Sequence, residues 1–496
     1  MNDYLSAILG EENLEEASQE FHDAVDIGLS FKMQQNVRNG DMQDLTAEFL
    51  VDELPQEGSD LKDVTKEFEK RFLPYCYNFA SPRFMGFPDA GNSIAAITGS
   101  ILSDFMQQNL INQSFCSPSG TFAEISVIRW LREIVGYKNG AKVNDIFDVG
   151  GVITPGGTSS NTIGILLARE NHRANTMKEG VVLNDDHYVV VPKGIGHYSV
   201  KSAQMWIGCG NRLIEVETKD FRYDLDDLAS KLRQYRGKIM AVVAYAGDSR
   251  TMTVDHLEAV AKIVKSIDPR IWLHADACHG FSLGFSEKLK YKLKGIEQFD
   301  SITTDPHKVM NTPYTISALL VKDPKKMRTV SSLSDLIMQE QYAFGQITPF
   351  VGSKPWSSLK IWFAMKNLGK KGFGEIIDKR HALANTLHAM VEERDDFVPI
   401  NEVGINAVVF MYTGGQTDLT LDELNELNKQ IHSQLIAEGI YHLHQFSVPD
   451  PGVFARGEII YPLRFMSGNP LTTSKHLQDM LTYVAGLGTS IRQKKH

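Results

Sequence analysis

From about residue 116 to residue 380, short apolar runs rich in β-branched residues alternate with stretches whose apolar positions recur every three or four residues. The runs at 188–191, 213–216, 239–245, 271–275, 301–304 and 317–321 predict buried-type strands, and the intervening spacing predicts helices. That alternation predicts an α/β domain around a mostly parallel sheet, with ligands held in loops at strand ends. Residues 1 to about 115 read instead as an acidic, amphipathic helical arm, broken near Gly58-Ser59-Asp60 and again across 81–88. An arm of that length needs something to cover its apolar side, such as a partner subunit. The last 115 or so residues predict a helix over 378–394 and strands near 407–411 and 459–465, a smaller α/β domain. The organisation read from the pattern is therefore 1–115 arm, 116–380 large domain and 381–496 small domain.

Composition narrows the class without naming it. The chain has 496 residues, 42% of them hydrophobic and 23% charged, enough to bury a large core without disulfide or metal staples. A net charge of -10 argues against a general nucleic-acid or anionic-membrane binder. The four cysteines, Cys76, Cys116, Cys209 and Cys278, stand singly with no CxxC or CxH spacing, which points away from zinc and towards a reducing cytosol. No basic, apolar leader opens the sequence and no run approaches the roughly 18 apolar residues of a membrane span, so a soluble, unexported protein is expected.

Two strand ends carry the chemistry. The run 271–275 closes on Asp276, and 32 residues later another apolar run leads into Asp305-Pro306-His307-Lys308. A carboxylate at one strand end and a lysine after the next suit pyridoxal phosphate: the acid pairs with the protonated pyridine nitrogen and the amine forms a Schiff base with the aldehyde. Upstream, Thr154-Pro155-Gly156-Gly157-Thr158-Ser159-Ser160-Asn161 leads into a helical run at 162–170, either as an anion cup at a helix N-terminus or as a capped helix start without ligand. His197, in Gly196-His197-Tyr198-Ser199, is placed to stack on a pyridine face or to serve as a structural histidine.

Taken in order, these segments resemble the fold-type I, group II pyridoxal-phosphate-dependent amino-acid decarboxylases. The resemblance runs from about Pro82 to Gly488 and includes Ser117-Pro118 with Glu124, the Gly156 to Asn161 cup, His274-Ala275-Asp276-Ala277, Pro306-His307-Lys308 and Ser358 to Trp362. It continues through Leu463-Arg464-Phe465 and Asn469 to Thr473, where it is most similar to the glutamate and 2,4-diaminobutyrate branch. The resemblance implies a transferase-like α/β fold, with a large mostly parallel sheet, an N-terminal arm and a small C-terminal domain. It implies Lys308 as the cofactor lysine, Asp276 as the pyridinium partner and His197 as the stacking residue. Thr158, Ser159, Ser160 and His307 become phosphate contacts, Ser249 and Cys278 neighbours of the cofactor, and Arg464 the ligand of the substrate α-carboxylate. Gly352-Ser353-Lys354 is similar to a segment that reaches the neighbouring subunit's cofactor, usually with Arg third, so Ser353 joins the cofactor set and a homodimer with shared active sites is implied.

Three departures mark this chain. Gly247-Asp248-Ser249-Arg250-Thr251 stands where the family has Gly-Thr-Thr, so Asp248 and Arg250 either pair in a turn or read substrate. Cys278 replaces an alanine, as a space filler or a reactive thiol. The family's loop tyrosine, which returns a proton to the substrate Cα, has Tyr342 as its sole counterpart within 331–346. The expected activity is decarboxylation of an L-amino acid, with an acidic or small polar side chain favoured, to the primary amine and CO2. Oxygen-dependent aldehyde synthesis or a lyase reaction is the alternative, and a catalytically silent assembly protein is a third reading.

Overall fold

A computed structural model of the protein describes residues 7–182, 184–334, 341–416 and 418–494. Its centre is a seven-stranded sheet in the order Gly151–Thr154, Ser317–Val321, Ser301–Thr304, Trp272–Asp276, Ile239–Tyr245, Tyr188–Pro192, Leu213–Val216. The last five run parallel, whereas Ser317–Val321 is antiparallel to both of its neighbours. Every residue of Ile239–Tyr245 and Trp272–Asp276 is buried, as helices on both sides of a parallel sheet require. The six strands expected here form within a residue of their predicted ends. The seventh, Gly151–Thr154, was read only as the lead-in to the cup.

The crossover helices follow simple rules. In Leu257–Ile267 the buried positions are Leu257, Val260, Ala261 and Val264, a single stripe at helical spacing. Leu225–Gln234 begins where the Asp224 carboxylate accepts the backbone N–H groups of Asp226 and Asp227. The Gly157–His172 helix starts five residues earlier than the pattern suggested, so Thr158 to Asn161 form its first turn instead of a preceding loop. Glycines and hydroxyl residues disguise a helix start, because they are poor helix formers that become favourable at an N-terminus.

The C-terminal part folds on a second, antiparallel sheet ordered Phe397–Pro399, Ala407–Tyr412, Leu463–Met466, His444–Gln445. The strand expected over 459–465 is two: Ile459–Ile460 and Leu463–Met466, separated at Tyr461-Pro462, where proline removes a ladder donor. One element, Leu359–Glu392, with a non-helical residue at Gly369, packs against both sheet regions.

The N-terminal arm contains the helices Leu14–Lys32, Leu61–Arg71 and Ile94–Met106, as its amphipathic pattern suggested. Between them, residues 84–86 run beside the small sheet: Met85 N–H donates to the His442 carbonyl and Met466 N–H to the Met85 carbonyl. Leu14–Lys32 buries no residue, and its Phe21, Val25 and Leu29 stay exposed with Ile94, Phe105 and Met106 nearby in the chain's arm. No helix of the described residues is long and apolar enough to cross a membrane.

Candidate active site

The parallel register sets Tyr245, Asp276 and Thr303 side by side at the carboxyl edge of the sheet. This edge is where open α/β folds bind ligands. A cavity of about 220 Å³ opens there, lined by Gly156, Gly157 and Thr158, by His197 and Ser199, by Ser249, Asp276 and Cys278, and by Asp305, His307 and Lys308. Residues as far apart in sequence as Gly156 and Lys308 thus meet because three strands end together.

Lys308 stands on a single helical turn, Pro306–Val309, that follows the strand Ser301–Thr304. Its Nζ lies 2.8 Å from the Asp305 carboxylate. Burial opposes the ammonium, but the neighbouring acids, Asp305 first and Asp89 after it, outweigh it and hold the lysine pKa above its ordinary value. Burial likewise opposes the Asp305 carboxylate, and Lys308, His307 and a Ser317 hydroxyl bring its pKa below the usual range. His307 places Nδ1 2.6 Å from the Ile316 carbonyl and stacks its ring, tilted, on Tyr314.

Asp276 is anchored from behind. Asn161 Nδ2 donates to its Oδ2 at 3.0 Å, and Cys278 N–H donates to Oδ1 at 3.2 Å. Asn161 also gives a hydrogen bond to Ser199 and has its oxygen 3.0 Å from His274 Nε2, while His274 Nδ1 lies 2.7 Å from the Ser301 hydroxyl. Burial drives the His274 pKa down to about 4, so that imidazole is neutral at neutral pH and acts as a hydrogen-bonding spacer. His197 donates its backbone N–H to the Tyr245 hydroxyl at 2.8 Å, and its Nδ1 is 2.6 Å from Ser199 Oγ. Burial lowers its pKa too, giving a flat, uncharged ring over the cavity.

The residues fit pyridoxal phosphate. The N-terminus of Gly157–His172 points its first, helix-free N–H groups at the cavity, a ready site for a phosphate. A Cβ on Gly157 would lie 2.9 Å from Asp305 Oδ2 and 3.0 Å from Cys278 Sγ, so the close approach of this helix requires glycine. In the same cavity Asp276 offers a fixed carboxylate and Lys308 an amine.

Other expected residues behave differently. Of the three cup hydroxyls, Thr158 lines the cavity, whereas Ser160 turns beneath the helix to Thr154 Oγ1 at 2.7 Å and Ser159 is not among the lining residues. Asp248 is fully buried and neither pairs with the Arg250 guanidinium nor faces the cavity: it accepts the backbone N–H groups of Arg250, Thr251 and Thr253. The Arg250 side chain goes instead to the Ser447 and Gly196 carbonyls. The Cys278 thiol is held protonated by burial, with Asp276 and Asp305 adding to the effect, so it is a filler and not a thiolate.

Tyr342 is a clear correction within this chain. Its hydroxyl donates to the Val143 carbonyl at 3.0 Å and its ring meets Phe122 edge-on, so it is spent on packing away from the cavity. Residues 335–340 of the stretch that was expected to supply a proton donor lie outside the described residues. Ser353 is exposed and also remote from this chain's Lys308 cavity, beside Asn109 and Trp356, while Lys354 is buried against Glu124 at 2.7 Å.

Arg464 stands just behind the cavity wall. Its guanidinium donates to the carbonyls of Ser249 and Gly86 and lies between the rings of Phe87 and Phe446, 5.5 Å from each centroid. Burial lowers its pKa to about 10, so it remains a cation at neutral pH. Sequence reasoning missed Asn161 as the Asp276 anchor, Asp305 as the lysine's partner and His279 as a lining residue. Asn161 and Asp305 sit inside strings already singled out, and a helix starting at Gly157 would have turned Asn161 inward.

Comparison with known proteins places the chain in a family. A family model described as the pyridoxal-dependent decarboxylase conserved domain matches residues 44–413. An aromatic-L-amino-acid decarboxylase of Bacillus atrophaeus is 24% identical over 462 residues, covering 90% of each chain. An L-2,4-diaminobutyrate decarboxylase of Acinetobacter baumannii is 26% identical over 406 residues, covering 76% of this chain and 75% of the relative. The solved structure of mouse CSAD superimposes with a TM-score of 0.85 at 21% identity, over 97% of this chain and 99% of that one, a likeness of fold.

Proposed function

Since the chain belongs to the pyridoxal-dependent decarboxylase family and is a pyridoxal-phosphate-dependent carboxy-lyase, we propose that its Lys308 cavity converts an L-amino acid to the primary amine and CO2. The observation that carries the reading is the convergence of Asp276 and Lys308 at neighbouring strand ends, opposite a helix N-terminus. Pyridoxal phosphate supplies an electron sink for the pair released when the carboxylate leaves.

The chain's own groups then divide the work. Asp276, fixed by Asn161 and the Cys278 N–H, holds a negative charge where a ring nitrogen needs its proton. Lys308 is the amine that holds the cofactor covalently, and the Asp305 carboxylate 2.8 Å from Nζ fixes its position and its charge in the resting chain. Arg464 orients the α-carboxylate, and His197 covers the ring. The uncovered apolar residues of Leu14–Lys32 fit a second copy of the chain, and the exposed Ser353 is then the residue offered to that copy's site.

One observation favours a second reading. The Tyr342 hydroxyl is bound to the Val143 carbonyl and not to the cavity of its own chain, and oxygen-dependent conversion of the amino acid, O2 and water to aldehyde, CO2, ammonia and hydrogen peroxide is the competing outcome. The test is a screen of the standard amino acids with diaminobutyrate and cysteine sulfinate, quantifying CO2, amine, ammonia and peroxide. Amine equal to CO2 supports decarboxylation, ammonia and peroxide equal to CO2 transfer the assignment to aldehyde synthesis, and no CO2 from any substrate sinks both.

A further inference from the structure

His197 performs a second task that fixes the position of its ring proton. It stands immediately before the helix Tyr198–Trp206, and its Nδ1 accepts the backbone N–H of Ser199 at 3.3 Å as the cap of that helix. A ring nitrogen that accepts an N–H carries no proton of its own, so the Ser199 hydroxyl, 2.6 Å from the same nitrogen, donates to it too. The neighbouring bonds agree. An ionised Asp276 only accepts, so the Asn161 atom 3.0 Å from it is the amide nitrogen, and that nitrogen also donates to Ser199 Oγ at 2.8 Å. The Ser199 oxygen is thereby occupied and its proton is free to go to His197. Burial lowers the His197 pKa and leaves the imidazole neutral at neutral pH, with one ring proton, on Nε2. That nitrogen has no hydrogen-bond partner among the described residues, and the residue lines the cavity. The backbone is pinned as well, its N–H donating to the Tyr245 hydroxyl at 2.8 Å.

We infer that Ser199 is a positioning residue for the reaction: acting with Asn161, it locks His197 as the Nε2–H tautomer, so the ring presents a hydrogen-bond donor to the ligand and not a base. For its effect on turnover the inference rests on the decarboxylase reading; the tautomer itself rests on the hydrogen bonds alone. The opposite tautomer sets Nδ1–H against the Ser199 N–H, breaks the helix cap and turns a lone pair into the cavity. One amide thus serves two parts of the site. The Asn161 N–H2 divides its protons between Asp276 and Ser199, so the acid proposed for the ring nitrogen and the histidine that covers the ring are held by the same side chain. With Nε2 protonated, His197 can donate to an oxygen of a ligand, but it has no lone pair there with which to take a proton.

The test reads the tautomer directly. In protein labelled with 15N at histidine, ring nitrogens with and without an attached proton resonate far apart, and the His197 signals are identified by their loss in His197→Gln. Wild type at neutral pH should show a protonated Nε2 and a bare Nδ1, before and after loading with pyridoxal phosphate. Ser199→Ala should raise the Nδ1–H population and lower kcat by about tenfold, with cofactor affinity held within about twofold. Ser199→Thr retains the hydroxyl and should restore both. A hydroxyl that only supports the helix would lower the urea midpoint in Ser199→Ala and leave tautomer and kcat as they are, and that result overturns the inference. So does a wild-type ring that carries its proton on Nδ1, a measurement made on the unaltered chain. The expected tautomer together with no CO2 from any amino acid would sink the decarboxylase reading and leave the lock on His197 standing.

Discussion

On the sheet side of the cavity, Asp276, Asn161, His274 and Ser301 form an unbroken chain of hydrogen bonds between residues that are 4% exposed or less. Where the N-terminal loop meets the small sheet, behind the residues that line the cavity, Arg464 Nε, Asp89 Oδ1 and both His442 ring nitrogens have no hydrogen-bond partner among the described residues. The two walls differ in completeness. A saturated network is rigid and costs little to maintain, so it suits a cofactor that stays; a wall with unspent donors and acceptors suits a ligand that arrives and leaves. The contrast fits the proposed division, with cofactor at the sheet side and substrate towards the seam.

The largest effects should come from breaking the sheet side. Lys308→Ala is expected to abolish turnover and remove the visible absorption of the covalently held cofactor, with phosphate-cup binding retained. Borohydride reduction followed by peptide mapping checks this, and a reduced adduct on any other lysine would defeat the assignment. Asp276→Ala should lower kcat by at least about a hundredfold, about 2.7 kcal/mol of barrier, while the cofactor still binds through the helix N-terminus. Near-normal turnover in that variant would remove Asp276 from its role and, with it, the reason for the Asn161 and His274 network.

These same two walls differ in how far the sequence discloses them. The strands ending at Asp276 and Thr304 are short strand-like runs with Ile271, Trp272 and Leu273 in one and the β-branched Ile302, Thr303 and Thr304 in the other, so their ends could be placed to within a residue. Asp305 was visible in the string but not as a partner, because nothing local says that a lysine three positions on will fold back to it. The seam is a different matter. Asp89 is buried by contacts with residues more than 200 positions away, so its sequence neighbourhood, a Phe-Pro-Asp loop, looks like an exposed turn. Tyr342 misled for the same reason: its hydroxyl is claimed by Val143, 199 residues earlier, and no local pattern reports that.

A smaller effect should follow from the seam. Arg464→Lys keeps the charge but cannot reproduce the fork that reaches Ser249 and Gly86 at once. The loss of one charge-assisted hydrogen bond to the substrate carboxylate should cost about 1.5–3 kcal/mol, a tenfold or larger fall in kcat/KM. The visible spectrum of the resting enzyme should be unchanged. If the spectrum and cofactor affinity change and the substrate constants do not, the division between the two walls fails at this residue.

The smallest expected effect concerns a buried acid within charge reach of Arg464: Asp248, which accepts three backbone N–H groups and the Thr251 hydroxyl. In Asp248→Asn one carboxylate oxygen becomes an amide N–H2 facing donors, either at Thr253 and Thr251 or, after a flip, at Arg250 and Thr251. The mismatch should cost about 1–3 kcal/mol of stability, read as a lower urea midpoint with an unchanged slope. Substrate constants should stay within about twofold of wild type, because nothing Asp248 touches reaches the cavity except through the Ser249 backbone. A loss of substrate affinity in Asp248→Asn, without loss of stability, would show that Asp248 acts on the ligand and not only on the fold of its turn.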